Sequence, residues 1–231
     1  MSAGAAQGLV RRTAAEDGIE VDGHFGAVGA MREKLVGGEP CDVVILTRAL
    51  IADLVKDGYV ALAGIADLGG VDTSIAVRAA DAPPDVHDAS ALRETLRAAD
   101  ALYFPDPAKA TAGVHFAHVL RMLGVHDELA PRFRTAPHGA AAMAAMAQAG
   151  GKPLGCTQAT EILATPGVKL VAPLPPGLEL RTVYTAAVSA TAANPSDAAR
   201  FVERLASAEL AAARASAGFA EPGTDPLLHK K

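Results

Sequence analysis

A repeated alternation of short strand-like runs and helical stretches is the feature that most constrains this chain. The β-branched run DVVIL at residues 42–46 is followed by a helical pattern over residues 48–57, which stops at Gly58. A short apolar run between polar residues is typical of a buried parallel strand, because helices cover both faces of a parallel sheet. The alternation therefore predicts an α/β fold.

The same alternation extends over the rest of the chain. Periodicity and turn residues predict further helices over residues 5–17, 28–37, 89–99, the second half of 105–124, 139–149, 196–206 and 207–217. Alternating or β-branched patterns predict strands over residues 19–25, 73–79, 101–104, 153–158, 168–172 and 180–192. Within this framework we interpret Asp106 as a residue that braces a loop, and Glu161 as part of a short helix.

Two segments indicate crossings between two lobes. A Pro–Pro turn follows the strand predicted at residues 73–79, and the long β pattern at residues 180–192 can carry the chain back. We predict a discontinuous first lobe, residues 1–79 plus 188–231, and a second lobe, residues 80–187. Folds of this kind bind ligands at the carboxyl ends of strands and on helix N-termini, so we expect a ligand cleft between the lobes.

Composition and short motifs exclude several classes of function. The net charge is −5, and the few aromatic residues are not interleaved with Lys or Arg, which argues against nucleic-acid binding. No apolar run approaches the roughly 18 residues of a membrane span, so we expect no membrane insertion. Neither a dinucleotide fingerprint nor a P-loop is present, and the sequence implies no cofactor and no metal.

The N-terminal sequence MSAGAAQGLVRR has no basic region followed by an apolar stretch, as a signal peptide would. We expect a periplasmic or other extracytoplasmic location if a signal peptide has been removed, and a cytoplasmic location if the chain is full length. Cys41 and Cys156 have no metal or redox spacing. Two buried thiols are the first interpretation, and a disulfide or a catalytic thiol are the alternatives.

Small residues stand at the start of four predicted helices. The first N–H groups of a helix have no partner within it, and small side chains let a ligand approach them. Each helix N-terminus also favours an anion, so four together could bind one without Arg or Lys. The alternative is that small residues only allow the helices to pack on the sheet. The four starts lie at residues 2–5, 26–29, 110–113 and 138–140.

Several motifs resemble, in order and spacing, the molybdate-binding family of type 2 periplasmic solute-binding proteins. They are SAGA, FGAVGAMREKL, GEPCDVVIL, DPAKATAGVHFAHVLRMLG and PLGCTQ, and they extend over most of the chain. The resemblance implies a two-lobed type 2 periplasmic-binding-protein fold, a small anionic ligand and the membrane subunits of an ABC-type importer as partners. The family has a strand before SAGA, which we expect to be missing because only Met1 precedes Ser2.

The family holds a tetrahedral oxyanion with two hydroxyl side chains, helix-start N–H groups and a tyrosine. The resemblance carries these contacts over to Ser2, Val28, Ala112, Ala140 and Gln158. Neighbouring positions at the same strand ends and helix starts complete the predicted ligand-binding set, namely Ala3, Ala27, Thr47, Thr111 and Gly139.

Two positions depart from the family pattern. Val28 lacks a hydroxyl group, and Gln158 replaces a phenol with an amide that is both donor and acceptor. Both changes favour an organic acid over a symmetric dianion, so we predict a solute-binding protein for a di- or tricarboxylate. The alternative is an isomerase similar to aconitate isomerase, a member of the same large family, with His138 as general base. Molybdate or tungstate binding ranks third.

Overall fold

The computed structural model describes residues 1–221, in which strands and helices alternate along the chain. Its strands are β1 (Ser2–Ala3), β2 (Phe25–Gly26), β3 (Val43–Thr47), β4 (Val60–Arg78), β5 (Ala101–Pro105), β6 (Phe133–Ala136), β7 (Pro153–Gln158), β8 (Val168–Pro173) and β9 (Arg181–Ser189). Its helices are α1 (Gln7–Asp17), α2 (Val28–Val36), α3 (Arg48–Lys56), α4 (Ala89–Ala98), α5 (Thr111–Met122), α6 (His126–Leu129), α7 (Gly139–Ala147), α8 (Ala159–Leu163), α9 (Pro195–Ala206) and α10 (Ala211–Ser216). The predicted α/β class is confirmed.

The chain forms two compact units and crosses between them twice. Unit 1 contains Met1–Val71 and Thr182–Lys231, and unit 2 contains Asp72–Arg181. The sequence placed these crossings after residues 79 and 187. The first crossing lies inside β4, directly after Gly69, Gly70 and Val71, a position that the sequence analysis did not interpret as a boundary. Residues 222–231 of the predicted first lobe lie outside the described residues.

The sheet of unit 1 has the order β2-β1-β3-β9, with β4 next to β9. β1 is parallel to β2 and β3, and β9 is antiparallel to β3. The first two residues of SAGA form the short β1, held by Ser2 N–H on the His24 carbonyl and Ile45 N–H on the Met1 carbonyl. That a strand before SAGA is missing stays a prediction. A core of buried side chains from β3, α2 and α3 covers one side of this sheet.

The sheet of unit 2 has the order β4-β7-β5-β6, and β8 pairs with β4. β5 is parallel to both β6 and β7, while β4 is antiparallel to β7. Phe104 anchors the larger core, with edge-on ring contacts of 5.2 Å to Phe116 and 5.1 Å to Phe133. These contacts fix α5 against the sheet, because aromatic rings bury much apolar area and prefer this geometry.

The parallel strands of unit 2 determine where its helices begin. The chain leaves β5 toward α5, β6 toward α7, and β7 directly into α8. Because parallel neighbours end at the same edge of a sheet, all three helices begin at that edge, where α/β sheets bind ligands. None of the helices within residues 1–221 combines the length and apolar character needed to cross a membrane.

Candidate functional site

The N-terminus of α5 has no side-chain cap. Ala110 is the capping residue, its backbone is extended, and its methyl group offers no acceptor to the first turn of this 12-residue helix. Thr111 is half-buried and Ala112 is buried at the predicted ligand position. The first N–H groups of α5 are therefore the kind of donors that a bound anion can accept from.

The loop before α5 is braced from within. The Asp106 carboxylate accepts the N–H groups of Ala108 at 2.7 Å and Lys109 at 3.2 Å, which confirms its predicted structural role. A Cβ at Gly113 would overlap the carbonyl oxygens of Pro105 and Asp106. At Gly113 the small residue thus allows the helix to pack on the end of β5 and the loop that follows it, a packing role close to the alternative interpretation, which named the sheet.

The N-terminus of α7 is capped by two side chains. The Nδ1 atom of His138 accepts the Ala141 N–H at 3.2 Å. The Glu161 carboxylate, from α8, accepts the Thr157 hydroxyl at 2.6 Å and lies directly beside Gly139. The N–H groups that the sequence assigned to a ligand at Gly139 and Ala140 therefore face a carboxylate of the protein itself, closely enough to lower its pKa.

Burial and hydrogen bonding act in opposite directions on Glu161. Burial raises the pKa of its carboxyl group, while the Thr157 hydroxyl, His138 and the two N–H groups lower it. A carboxyl pKa raised above its ordinary value means that the folded state binds the proton more tightly than the unfolded state. The contribution of Glu161 to stability then falls as the pH rises from the ordinary carboxyl pKa of the unfolded chain through the raised pKa of the folded protein.

His138 has a single tautomer that fits its capping role. Because Nδ1 accepts the Ala141 N–H, the neutral ring carries its proton on Nε2, which is then a donor. A general base needs an unprotonated nitrogen facing the substrate. The predicted catalytic role of His138 would therefore require it to give up the cap, whereas donation to a ligand from Nε2 would not.

Gln158 is the last residue of β7 and is buried. Its backbone pairs with Thr73 on β4, so both side chains lie on the same face of the sheet. The Thr73 hydroxyl has no hydrogen-bond partner within the described residues, although the side chain is completely buried. The sequence analysis missed Thr73, because a threonine in a β-branched strand carries no pattern that separates it from a packing residue.

The predicted residues of unit 1 also lie at one sheet edge, where the parallel strands β1, β2 and β3 end. Ser2 and Ala3 are buried in β1 rather than at a helix start, and the Ser2 hydroxyl donates to the Ala3 carbonyl at 3.0 Å. The short 3₁₀ segment Gly4–Ala6 separates them from α1. The structure thus gives this serine a local hydrogen bond.

The other two starts in unit 1 differ in their capping. Ala27 precedes α2 and provides no side-chain cap, so the first N–H groups, from Val28 onward, resemble those of α5. Thr47 caps α3 itself, because its hydroxyl accepts the Leu50 N–H at 3.4 Å. The next residue, Arg48, forms an ion pair with Asp67. The sequence analysis did not single out Arg48.

Both cysteines are free and buried, as the first interpretation stated. Burial raises the pKa of the Cys41 and Cys156 thiols, and Cys156 is shifted well above its ordinary value. A nucleophilic cysteine needs the thiolate form, which these surroundings disfavour. The disulfide alternative is wrong, and the pKa shifts argue against a catalytic thiol.

Comparisons with known proteins agree with this architecture. The family model for bacterial extracellular solute-binding proteins matches residues 3–220. A curated relative, aconitate isomerase from a Pseudomonas species, is 28% identical over 191 residues, which are 82% of this chain and 71% of that protein.

Solved structures share the fold at low sequence identity. The periplasmic molybdate-binding protein of Azotobacter vinelandii has a TM-score of 0.76 and 20% identity, over 96% of this chain and 99% of that one. The sulfate-binding protein SubI from Mycobacterium tuberculosis H37Rv has a TM-score of 0.68 and 21% identity, over 98% and 87% of the two chains. At such identities the likeness establishes the fold, while the ligand has to be argued from the residues of this chain.

Proposed function

Because the chain belongs to the bacterial extracellular solute-binding protein family, we propose that it captures a small organic anion for an ABC-type importer. The ligand class that we propose is a di- or tricarboxylate. We also propose an extracytoplasmic location, where such an importer would receive its solute. The single observation that carries the anion proposal is the uncapped N-terminus of α5 at the edge where the parallel strands of unit 2 end.

The donor groups of the chain favour a carboxylate over a tetrahedral oxyanion. Val28 offers no hydroxyl group, Gln158 offers an amide, and the first N–H groups of α7 face the Glu161 carboxylate. Each unsatisfied group of a buried anion costs about 1–3 kcal/mol. Two such losses amount to roughly one to four decades of affinity, at about 1.4 kcal/mol per decade. The oxygens of a di- or tricarboxylate are spread over several carbon atoms, so they need not all be satisfied at one point of the site.

Calorimetry against a panel of anions tests this proposal. We expect citrate or one of the aconitates to bind, and molybdate, tungstate and sulfate to bind weakly or not at all. Thr111→Asp should abolish carboxylate binding, because a fixed negative charge in the first turn of α5 competes with the ligand while favouring the helix by about 0.3–1 kcal/mol. Ser196→Asp adds the same charge to the exposed start of α9 and is the matched control.

Two results would contradict the proposal. Tight molybdate binding would mean that the backbone donors suffice without the missing hydroxyl and phenol. Equal carboxylate affinity in Thr111→Asp and Ser196→Asp would mean that the α5 N-terminus does not hold the ligand.

A second candidate function is an isomerase acting on a tricarboxylate. The observation in its favour is the aligned aconitate isomerase, which is 28% identical over most of this chain. This candidate needs a group that moves a proton, and the Nδ1 atom of His138 is already engaged by Ala141. We therefore rank the solute-binding function above the isomerase.

A further inference from the structure

Glu161 is a buried carboxyl group for which the proposed function has no use. Only 6% of the residue is exposed, and burying a carboxylate without partners is costly. The Thr157 hydroxyl donates to it, and the carboxylate lies beside Gly139 at the start of α7. The hydroxyl group, His138 and the N–H groups of Gly139 and Ala140 favour the ionised, acceptor-only form and oppose the effect of burial on its pKa.

The carboxylate satisfies the start of a complete helix. In the nine-residue α7, the Ala141 N–H donates to the His138 side chain, and the Ala142 N–H donates to the His138 carbonyl. The Glu161 carboxylate lies beside the two remaining N–H groups of the first turn, those of Gly139 and Ala140, closely enough that they lower its pKa. The first turn of α7 therefore faces acceptors of the protein itself, whereas α5 begins at the same sheet edge with no side-chain cap.

The residues around the Glu161 carboxylate are packed closely against it. A Cβ at position 139 would overlap the Glu161 carboxylate oxygen and the Thr157 hydroxyl oxygen. Thr157 is fully buried at the end of β7, and Glu161 lies one turn along α8. The glycine, the hydroxyl group and the helix start together form a complete binding site for one carboxylate, and that carboxylate is tethered.

We infer that Glu161 is a built-in anion that determines specificity, by occupying the α7 N-terminus so that a ligand in unit 2 binds at the α5 N-terminus instead. The inference rests on the proposed function. A fixed negative charge at this edge disfavours a compact dianion, whose two charges cannot be separated from it. A di- or tricarboxylate spaces its charges over several carbon atoms and can hold one carboxylate at α5 with the others farther away.

The first experiment removes the charge and keeps the shape. Glu161→Gln retains an oxygen that can accept from Gly139 and Ala140. We expect its affinity for sulfate and molybdate, relative to the carboxylate that binds the wild type, to rise by about tenfold, because a like charge no longer opposes the ligand. Glu94→Gln removes an equal charge from the exposed face of α4 and should leave this ratio unchanged.

The second experiment needs no knowledge of the ligand. Glu161→Ala removes the carboxylate, so formate can take its place on the α7 N-terminus. Sodium formate should raise the melting temperature of Glu161→Ala by several degrees more than that of the wild type or Glu161→Gln, with sodium chloride at equal ionic strength as reference. This is the behaviour expected of a vacated anion site.

The two readouts separate the inference from the function on which it rests. Suppose that the wild type binds a carboxylate, that formate does not stabilise Glu161→Ala, and that Glu161→Gln keeps the wild-type ratio of sulfate or molybdate affinity to carboxylate affinity. The role of Glu161 is then overturned and the proposed function stands. Formate rescue in a protein that binds no anion as wild type overturns the proposed function, and with it the specificity role, while supporting the tethered anion. If formate stabilises Glu161→Ala but the affinity ratio is unchanged in Glu161→Gln, Glu161 does occupy the α7 N-terminus, and its charge does not determine specificity.

Discussion

At the scale of single residues, Gly139 is where the binding chemistry of unit 2 is most tightly constrained. Its backbone N–H lies close enough to the Glu161 carboxylate to lower its pKa, and the space beside its Cα is filled by that carboxylate and the hydroxyl of Thr157. Any side chain at this position must displace a buried hydrogen-bonded pair whose oxygens are 2.6 Å apart. The absence of a side chain at Gly139 thus makes room for a carboxylate of the protein rather than for a ligand.

Gly139→Ala should therefore destabilise the protein. We expect a loss of about 1–3 kcal/mol in the free energy of unfolding, because overpacking a buried site forces neighbouring groups to shift. Gly150→Ala is the matched control, since nothing lies near its Cβ direction and its φ is not in the left-handed region. Urea unfolding measures both variants, and equal midpoints would contradict this view of Gly139.

The sequence located the helix starts but not their occupants. The predicted starts near Thr111 and Gly139 are confirmed as the first residues of α5 and α7. Small residues and turn signals are local, so they can be found without a structure. That Glu161 lies beside Gly139 depends on how β7, α8 and α7 pack, and no periodicity in the sequence encodes a contact between positions so far apart.

At the scale of secondary-structure elements, Arg78 ties the end of β4 to another connection of unit 2. Its guanidinium group donates to the Asp81 carboxylate at 2.7 and 2.9 Å, to the Ala149 carbonyl at 2.5 Å and to the Gly151 carbonyl at 2.8 Å. Ala149 and Gly151 belong to the loop that leads from α7 into β7. The hydrogen bond from this arginine lowers the pKa of the Asp81 carboxyl group.

Arg78→Lys should weaken unit 2 although it keeps the charge. An ammonium group cannot reproduce the planar fork of donors, so at least one of the two loop carbonyls loses its partner. We expect a clearly lower urea midpoint for Arg78→Lys. Arg200→Lys, which affects an exposed pair with Asp197 on α9, should leave the midpoint unchanged. Equal effects of the two substitutions would show that the loop contacts contribute nothing.

The elements that the sequence analysis misjudged share a physical reason. A strand was predicted at residues 73–79, yet β4 extends over Val60–Arg78 and includes Gly64 and Gly69, whose φ angles are 79° and 138°. Glycines and exposed apolar residues such as Leu62 and Ile65 interrupt the alternation expected of a strand, which is stabilised here by its neighbours in the sheet. β6 was missed because only four residues form it, and β2 is shorter than predicted because residues 19–24 find no partner strand.

At the scale of the whole molecule, one fold is compatible with two functions. The family model covers residues 3–220 and describes solute-binding proteins, whereas a curated relative of comparable coverage is an enzyme. A shared scaffold does not decide between binding and catalysis, because function depends on the groups of the site. That the ligand contacts both lobes, as the resemblance implies, stays a prediction.

Whether the protein moves a proton can be measured directly. Incubation with cis- or trans-aconitate in deuterated buffer, followed by NMR, detects both interconversion and exchange of substrate hydrogens. The carrier proposal predicts binding without either, because His138, at the start of α7, uses Nδ1 to hold Ala141 and presents only a donor. His138→Asn sharpens the test, since asparagine is a good helix cap and preserves folding while removing the imidazole.

If the wild type interconverts aconitates and His138→Asn loses about 10²–10⁴-fold of that rate, the histidine is a general base and the carrier is in fact an isomerase. If the wild type is active and His138→Asn equally so, the enzyme assignment holds with a different base, and the capping role of His138 holds as well.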